Sequence, residues 1–243
     1  MALPVWMSRT ELLLGEEKLN KLIAANVLVV GLGGVGGICA EMIVRSGVGK
    51  MTIIDGDVIE ASNCNRQIVA TQSVVGESKA NTLAKRLLDI NPNLDLTVHH
   101  TYLRDAKTFE IITAQKYDIA VDCIDTLSPK VFFIKHCFDN NLKVVSSLGA
   151  GGKFDPTKIE ITDISKSHNC NLAKYVRKRL NRLGIRKGFK VVFSAEDIDD
   201  SKVIELDDDG PKKSIIGTIS YMPAVFGCAV ASVVIRELAE IPI

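Results

Sequence analysis

Residues 29–55, VVGLGGVGGICAEMIVRSGVGKMTIID, constrain this chain more than any other stretch. The apolar run at 27–30 has the character of a central parallel strand, buried on both faces. A glycine turn comes next, Gly31-Leu32-Gly33-Gly34-Val35-Gly36, and then a helix over 36–46 and a second strand over 50–54. Asp55 closes that strand. Glycines let backbone amides come close to a ligand, and a helix N-terminus adds unpaired N–H groups and partial positive charge. A strand, glycine turn, helix and second strand closing on an acid therefore form a phosphate-binding unit whose acid suits ribose hydroxyls. Taken alone, the unit fits NAD and ATP equally.

The rest of the first half repeats the alternation. Leu12, Leu13, Leu19 and Leu22 recur at helical spacing and predict a helix over 8–21. Further helices are expected over 78–90, stopped by Asn91-Pro92, over 106–114, and over 128–140 with Pro129 in its first turn. Strands are expected over 95–100, 119–123 and 143–147. Strands alternating with helices predict a Rossmann-like, doubly wound, mostly parallel α/β sheet, with residues 1–152 as the nucleotide-binding core. After Gly149-Ala150-Gly151-Gly152 the texture changes. A strand over 159–164, a helix over 172–183, a strand over 190–194 and a helix over 224–238 make a C-terminal strand-helix extension, residues 153–243. The acidic, aperiodic segment at 195–211 reads as a mobile loop.

Composition narrows the class. A chain of 243 residues can bury a full core, and 47% apolar with 24% charged residues suits a soluble globular protein. The six cysteines, at 39, 64, 123, 137, 170 and 228, contain no CxxC pair, which argues against a tetrahedral structural zinc. Cys39, Cys123 and Cys137 lie in apolar runs and read as buried thiols, which fits a reducing, cytoplasmic compartment. The N-terminus lacks a signal-peptide pattern. The apolar run at 221–235, interrupted by Pro223, falls short of the roughly 20 residues of a spanning helix.

The residues after Asp55 favour ATP over NAD. Positions 55–67 read Asp-Gly-Asp-Val-Ile-Glu-Ala-Ser-Asn-Cys-Asn-Arg-Gln. Arg66, and then Lys79 at the start of a helix, suit a triphosphate with more charge than a dinucleotide. Asp122-x-x-Asp125 falls at the carboxyl end of a parallel strand, where open α/β sheets place ligands and where a carboxylate suits Mg²⁺. Each charge by itself reads equally well as a solvated surface residue; it is their order that argues for a triphosphate site.

The order Gly-x-Gly-Gly-Val-Gly, Asp55, Asn-x-Asn-Arg-Gln, Lys79 and Asp-x-x-Asp resembles the ubiquitin-activating-enzyme superfamily, whose bacterial members adenylate a carboxylate with ATP. Residues 9–15 (RTELLLG), 149–157 (GAGGKFDPT) and 223–227 (PAVFG) are similar, within it, to the branch that dehydrates threonylcarbamoyladenosine in tRNA. The resemblance covers nearly the whole chain and implies a single adenylating domain over 1–243. It implies that Gly31, Gly33, Gly34 and Gly36 form the phosphate turn and that Asp55 binds the ATP ribose. It implies that Asp57, Asn65, Arg66, Gln67 and Lys79 line the nucleotide, and that Asp125 places Mg²⁺ or orients the reacting carboxylate. Arg9 matches an arginine that reaches the neighbouring subunit's ATP, which implies a homodimer; on its own Arg9 reads as an exposed charge. A monovalent cation, Na⁺ or K⁺, near the C-terminal helix is a further implication, without assigned ligands.

A tRNA partner draws separate support from eight basic residues and no acid over 174–190: Lys174, Arg177, Lys178, Arg179, Arg182, Arg186, Lys187 and Lys190. A solvated helix face usually mixes both signs, whereas this one suits phosphates, with Tyr175 and Phe189 as the local aromatics. One alternative is adenylation of the C-terminus of a ubiquitin-like sulfur-carrier protein, against which the missing zinc cysteines and the basic helix speak. The other is a non-catalytic NAD- or RNA-binding module. Cys64, Cys170 and Cys228 read as incidental, with Cys170 carried as a persulfide or thioester candidate; a cysteine desulfurase or sulfur acceptor is a separate partner expectation.

Overall fold

The computed structural model describes residues 3–103, 105–197, 201, 203–205 and 214–243. The helix expected over 8–21 is two helices, α1 (Ser8–Leu14) and α2 (Glu16–Ala24), because Gly15 between them adopts a φ of +80° that ends the first. After them come β1 (Asn26–Val30), α3 (Gly36–Arg45), β2 (Lys50–Ile54), α4 (Lys79–Ile90), β3 (Asp95–His99), α5 (Asp105–Ala114), β4 (Ile119–Asp122), α6 (Leu127–Asp139) and β5 (Val144–Ser147). The second part holds β6 (Ile159–Asp163), α7 (Asn171–Arg182), β7 (Lys190–Ser194), β8 (Val203–Glu205), β9 (Ser214–Ile216) and α8 (Tyr221–Leu238). Ser78 caps α4 by accepting from the Asn81 amide, as its place before the helix demands.

Seven strands form one sheet in the order β3-β2-β1-β4-β5-β7-β6, parallel throughout except that β6 runs antiparallel to β7. The mostly parallel, doubly wound sheet expected from the alternation is therefore present. The register pairs Val30 with both Ile54 and Asp122, so the carboxyl ends of β2, β1 and β4 lie level. The chain turns to opposite sides of β1 to make β2 and β4, and such a switch point opens a crevice for ligands. Alternate residues of β1 serve two cores. Val27 and Val29 pack with α3, α4 and α8; Leu28 and Val30 pack with α5, α6 and α7.

Two expectations need correction. The segment 195–211 is not wholly a loop: β8 lies within it and pairs antiparallel with β9, Val203 opposite Ile216. Three-residue strands carry too little pattern to be read, and residues 198–200, 202 and 206–213 lie outside the described residues. Helix α8 begins at Tyr221 rather than after Pro223, which sits in the first turn where a missing N–H leaves no hydrogen bond unmade. With 18 residues and a mean hydropathy of 1.4, α8 has the length and composition of a membrane span. Its Met222, Phe226, Val230, Val233 and Val234 are nevertheless buried in the first core, which accounts for its apolar sequence.

Helices α3 and α4 are joined by a charge clamp. The buried Glu41 carboxylate accepts from Arg86 at 2.6 Å and from Arg45 at 2.8 Å. Burial alone would push the carboxyl up, but the two guanidinium groups outweigh it and hold Glu41 below the ordinary carboxylate range. The clamp's contribution is thus complete above the unfolded carboxyl pKa and lost as pH falls through the lower folded value. Glu41→Gln is expected to lower stability by about 2 kcal/mol at neutral pH, with the gap to the unsubstituted protein closing in acid. Urea midpoints measured from pH 3 to pH 7 check both the size and the direction.

Candidate active site

The glycine turn is shaped by close backbone contacts. Gly31 has a φ of +84°, and a Cβ there would lie 2.7 Å from the Cys123 carbonyl oxygen. A Cβ on Gly36 would lie 1.7 Å from the Gly31 carbonyl oxygen, and one on Gly34 would lie 2.9 Å from Pro223. Gly33 differs, since its Cβ would meet only the Gln67 amide, at 3.8 Å. Three glycines thus build the turn and the fourth leaves it open. Among the described residues, the amides of Gly33, Gly34 and Val35 donate to no other group, and no side chain caps α3. Free amides at a helix start are an anion site.

Asp55 ties this turn to the next strand. Its carboxylate accepts from the Leu32 amide at 2.6 Å and from the Asp57 amide at 2.8 Å. Burial pushes the Asp55 carboxyl above its usual range, while those two amides oppose the rise. Asp57 in turn accepts from Lys79 Nζ at 2.7 Å and from the Tyr102 hydroxyl at 2.8 Å. Lys79, at the first position of α4, is buried, so its ammonium points inward along this relay rather than into solvent. Arg66 donates to the Ser62 carbonyl and to Asn65 Oδ1, and Asn65 donates to the Thr218 carbonyl just before α8. Gln67 is 7% exposed, and its Oε1 has no partner among the described residues. An unpartnered buried amide is destabilising unless something bonds it. Beside open Gly33, it fits a bound polar group.

The two acids at the end of β4 differ in exposure. Asp122 is fully buried: Lys130 Nζ donates to its Oδ2 at 2.6 Å, Ser146 Oγ to the same atom at 2.6 Å, and the Ile124 amide to Oδ1 at 3.1 Å. Lys130 also donates to Ser146 Oγ and to the Ser147 carbonyl, so all three of its protons are placed. The pair fixes the turn that presents exposed Asp125 between β4 and α6. Among the described residues no group of three His, Cys, Asp or Glu side chains comes together to hold a metal. An ion at Asp125 would therefore take its other ligands from phosphate and water.

The structure divides the basic segment. Arg177 donates to both the Ser167 carbonyl and Ser167 Oγ, which ties one side of its guanidinium to the turn before α7. Phe189 is buried edge-on against Phe138 with ring centroids 5.8 Å apart, which removes it as a stacking surface. Helix α7 starts beside Gly149 at the carboxyl end of the sheet and leads to the start of β7 at the opposite end. Its 12 residues span about 18 Å. Lys174 therefore sits toward the carboxyl end of the sheet, and Lys178, Arg179 and Arg182 lie in the far half of the helix, with Arg186, Lys187 and Lys190 beyond it. Cys170 is buried and caps α7 by accepting from the Ala173 amide, and no cysteine is disulfide-bonded. Arg9 is exposed on α1.

The fold and this crevice define a ThiF-type nucleotide-binding domain: residues 7–242 match the ThiF family model, and the chain belongs to that family. It is 39% identical over 189 residues to the tRNA threonylcarbamoyladenosine dehydratase of Bacillus subtilis, spanning 78% of this chain and 74% of that protein. Identity to the Escherichia coli dehydratase of the same name is 34%, over 96% of this chain and 94% of the other. The crystal structure of the E. coli enzyme in complex with ATP superposes with a TM-score of 0.85 at 32% identity, covering 96% of this chain and 93% of that one.

The contacts separate two glycine substitutions. Gly36→Ala, which collides with the Gly31 carbonyl, is expected to prevent stable folding. Gly33→Ala is expected to leave the melting temperature within about 2 °C and to weaken ATP binding more than tenfold. Thermal melts and calorimetric titration of the two variants check the distinction.

Proposed function

We propose that this protein is an ATP-dependent adenylating enzyme that dehydrates threonylcarbamoyladenosine in tRNA. The observation that carries the reading is the set of unpaired amides at Gly33, Gly34 and Val35, with the buried, unpartnered Gln67 amide beside Gly33 and Asp55 bonded to the Leu32 amide of the same turn. Such a cradle suits phosphates and a ribose, and relatives over nearly the full length carry the dehydratase name. The threonylcarbamoyl carboxylate attacks the α-phosphorus of ATP and displaces pyrophosphate, giving an acyl-adenylate. An internal nucleophile of the same group then attacks the acyl carbon and AMP leaves, so that a ring closes with net loss of one water.

The chain's part is positioning and charge neutralisation. The α3 amides hold phosphate oxygens and Asp55 holds the ribose. Lys79 exchanges Asp57 for phosphate, and Arg66 exchanges its own-chain acceptors for the departing pyrophosphate. Asp125 orients the reacting carboxylate and would be the side chain that holds Mg²⁺, which would supply charge neutralisation there. Lys174, Lys178, Arg179 and Arg182 contact the RNA. Exposed Val5, Leu12 and Leu13 surround Arg9 on the N-terminal helical segment, with Leu12 87% exposed, and this supports a homodimer in which Arg9 reaches the other subunit's nucleotide. Six free thiols support a reducing, cytoplasmic compartment.

Arg66→Ala and Lys79→Ala are each expected to slow pyrophosphate release with modified tRNA by about 10²–10³. Incubation with ATP and tRNA, digestion to nucleosides and mass analysis should show threonylcarbamoyladenosine losing one water. Unaltered turnover in both variants would overturn the site assignment. Release of pyrophosphate on adding a sulfur-carrier protein, but not tRNA, would instead favour the carrier reading.

A further inference from the structure

Helices α5, α6 and α7 lie side by side on one face of the sheet and share one core. Their outer surface is unusual for a solvated helix layer. Phe132 on α6 is 49% exposed, Tyr175 on α7 is 52% exposed, and Phe109 on α5 is 52% exposed. Exposed single apolar residues are ordinary, but these are linked. Arg179 NH1 donates to Ser128 Oγ at 2.6 Å, which joins α7 to the first turn of α6. Tyr175 stands one turn before Arg179, and Phe132 one turn after Ser128, each on the same helix face as its neighbour. His136, one turn beyond Phe132, meets the Phe109 ring with centroids 6.3 Å apart. The result is a ridge of rings crossing three helices, with the basic residues of acid-free α7 along one side. It starts beside Asp125, two residues before α6 begins.

From this arrangement we infer that the α6–α7 ridge is the docking surface for a single-stranded RNA loop, with bases stacked on Phe132 and Tyr175 and the Arg179 guanidinium between them. The inference rests on the tRNA reading above and deepens it by naming the surface and its contacts. Single-stranded loops are recognised by unstacked bases laid on aromatic and arginine planes, while lysines track the phosphates. A purely basic helix would bind a duplex backbone equally well; exposed rings set among the cations favour a loop. Because the ridge begins at Asp125, a loop lying on it brings one of its nucleotides to the nucleotide crevice without bending the chain. The competing occupant is a second copy of this chain, which would cover the rings and change the oligomeric state.

The test uses the full chain and a fluorescent RNA stem-loop with a single-stranded loop, read by anisotropy at fixed salt, alongside ATP titration and light scattering. Phe132→Ala and Tyr175→Ala are each expected to weaken RNA binding about tenfold, the weight of one stacked base. Phe132→Tyr and Tyr175→Phe should retain it. ATP affinity and oligomeric state should not change in any of the four, and salt dependence should be unaltered because no charge is removed. RNA binding that survives both alanine substitutions overturns the inference, and so does a loss that accompanies a change in oligomeric state, which would make the ridge a contact between copies. If the unsubstituted protein bound ATP but no RNA, the tRNA reading beneath would fail as well, a result separate from failure of the ridge alone.

Discussion

The structure depends on how closely α3 is allowed to approach its surroundings. At its start, Gly36 lies against the Gly31 carbonyl so tightly that a single added carbon would sit 1.7 Å from the oxygen. Helix α8 also comes close, and a Cβ on Gly227 would lie 2.5 Å from the Val35 carbonyl oxygen. Gly31 itself presses on the Cys123 backbone at the end of β4. No side chain fits at these three contacts. Because they bring backbone rather than side chains to the crevice, the free amides of α3 face it directly. The same approach sets where α8 crosses and therefore where Thr218 receives Asn65.

The charges around that crevice are paired within the protein. Lys79 rests on Asp57, Arg66 on Asn65 and the Ser62 carbonyl, and Asp55 on two amides. Pairing of this kind keeps partly buried ions from being stranded without partners. It also means that a phosphate chain enters by exchanging partners rather than by charging an empty cavity. Behind the site, the fully buried Asp122–Lys130 pair bridges β4, α6 and β5 and supports the turn that carries Asp125. Two aspartates three residues apart thus have different work: one is internal scaffolding and the other faces outward.

Much of the fold was legible because the parallel strands and their helices are long and strongly patterned. β2 and β7 fall where the apolar runs place them, and α4 begins just after its capping serine. The errors lie where local pattern is weak or ambiguous. Gly15 breaks a helix whose leucine spacing runs on past it. The strands β8 and β9, three residues each, draw their existence from pairing with one another. Phe189 and Tyr175 were equivalent as aromatics in the basic run, yet one is buried against Phe138 and the other is open.

The sequence by itself determined the doubly wound sheet, the glycine turn, and the order of Asp55, Arg66, Lys79 and Asp125 along the chain. Those properties arise from periodicity and from backbone freedom at particular residues, both of which are local. Tertiary structure alone decided which charges are buried, that Gln67 is left with an unmet hydrogen bond, and that rings on three separate helices form one ridge. Each of these depends on what a side chain meets across the fold, and residues such as Arg179 and Ser128, 51 positions apart, become neighbours only when the helices pack.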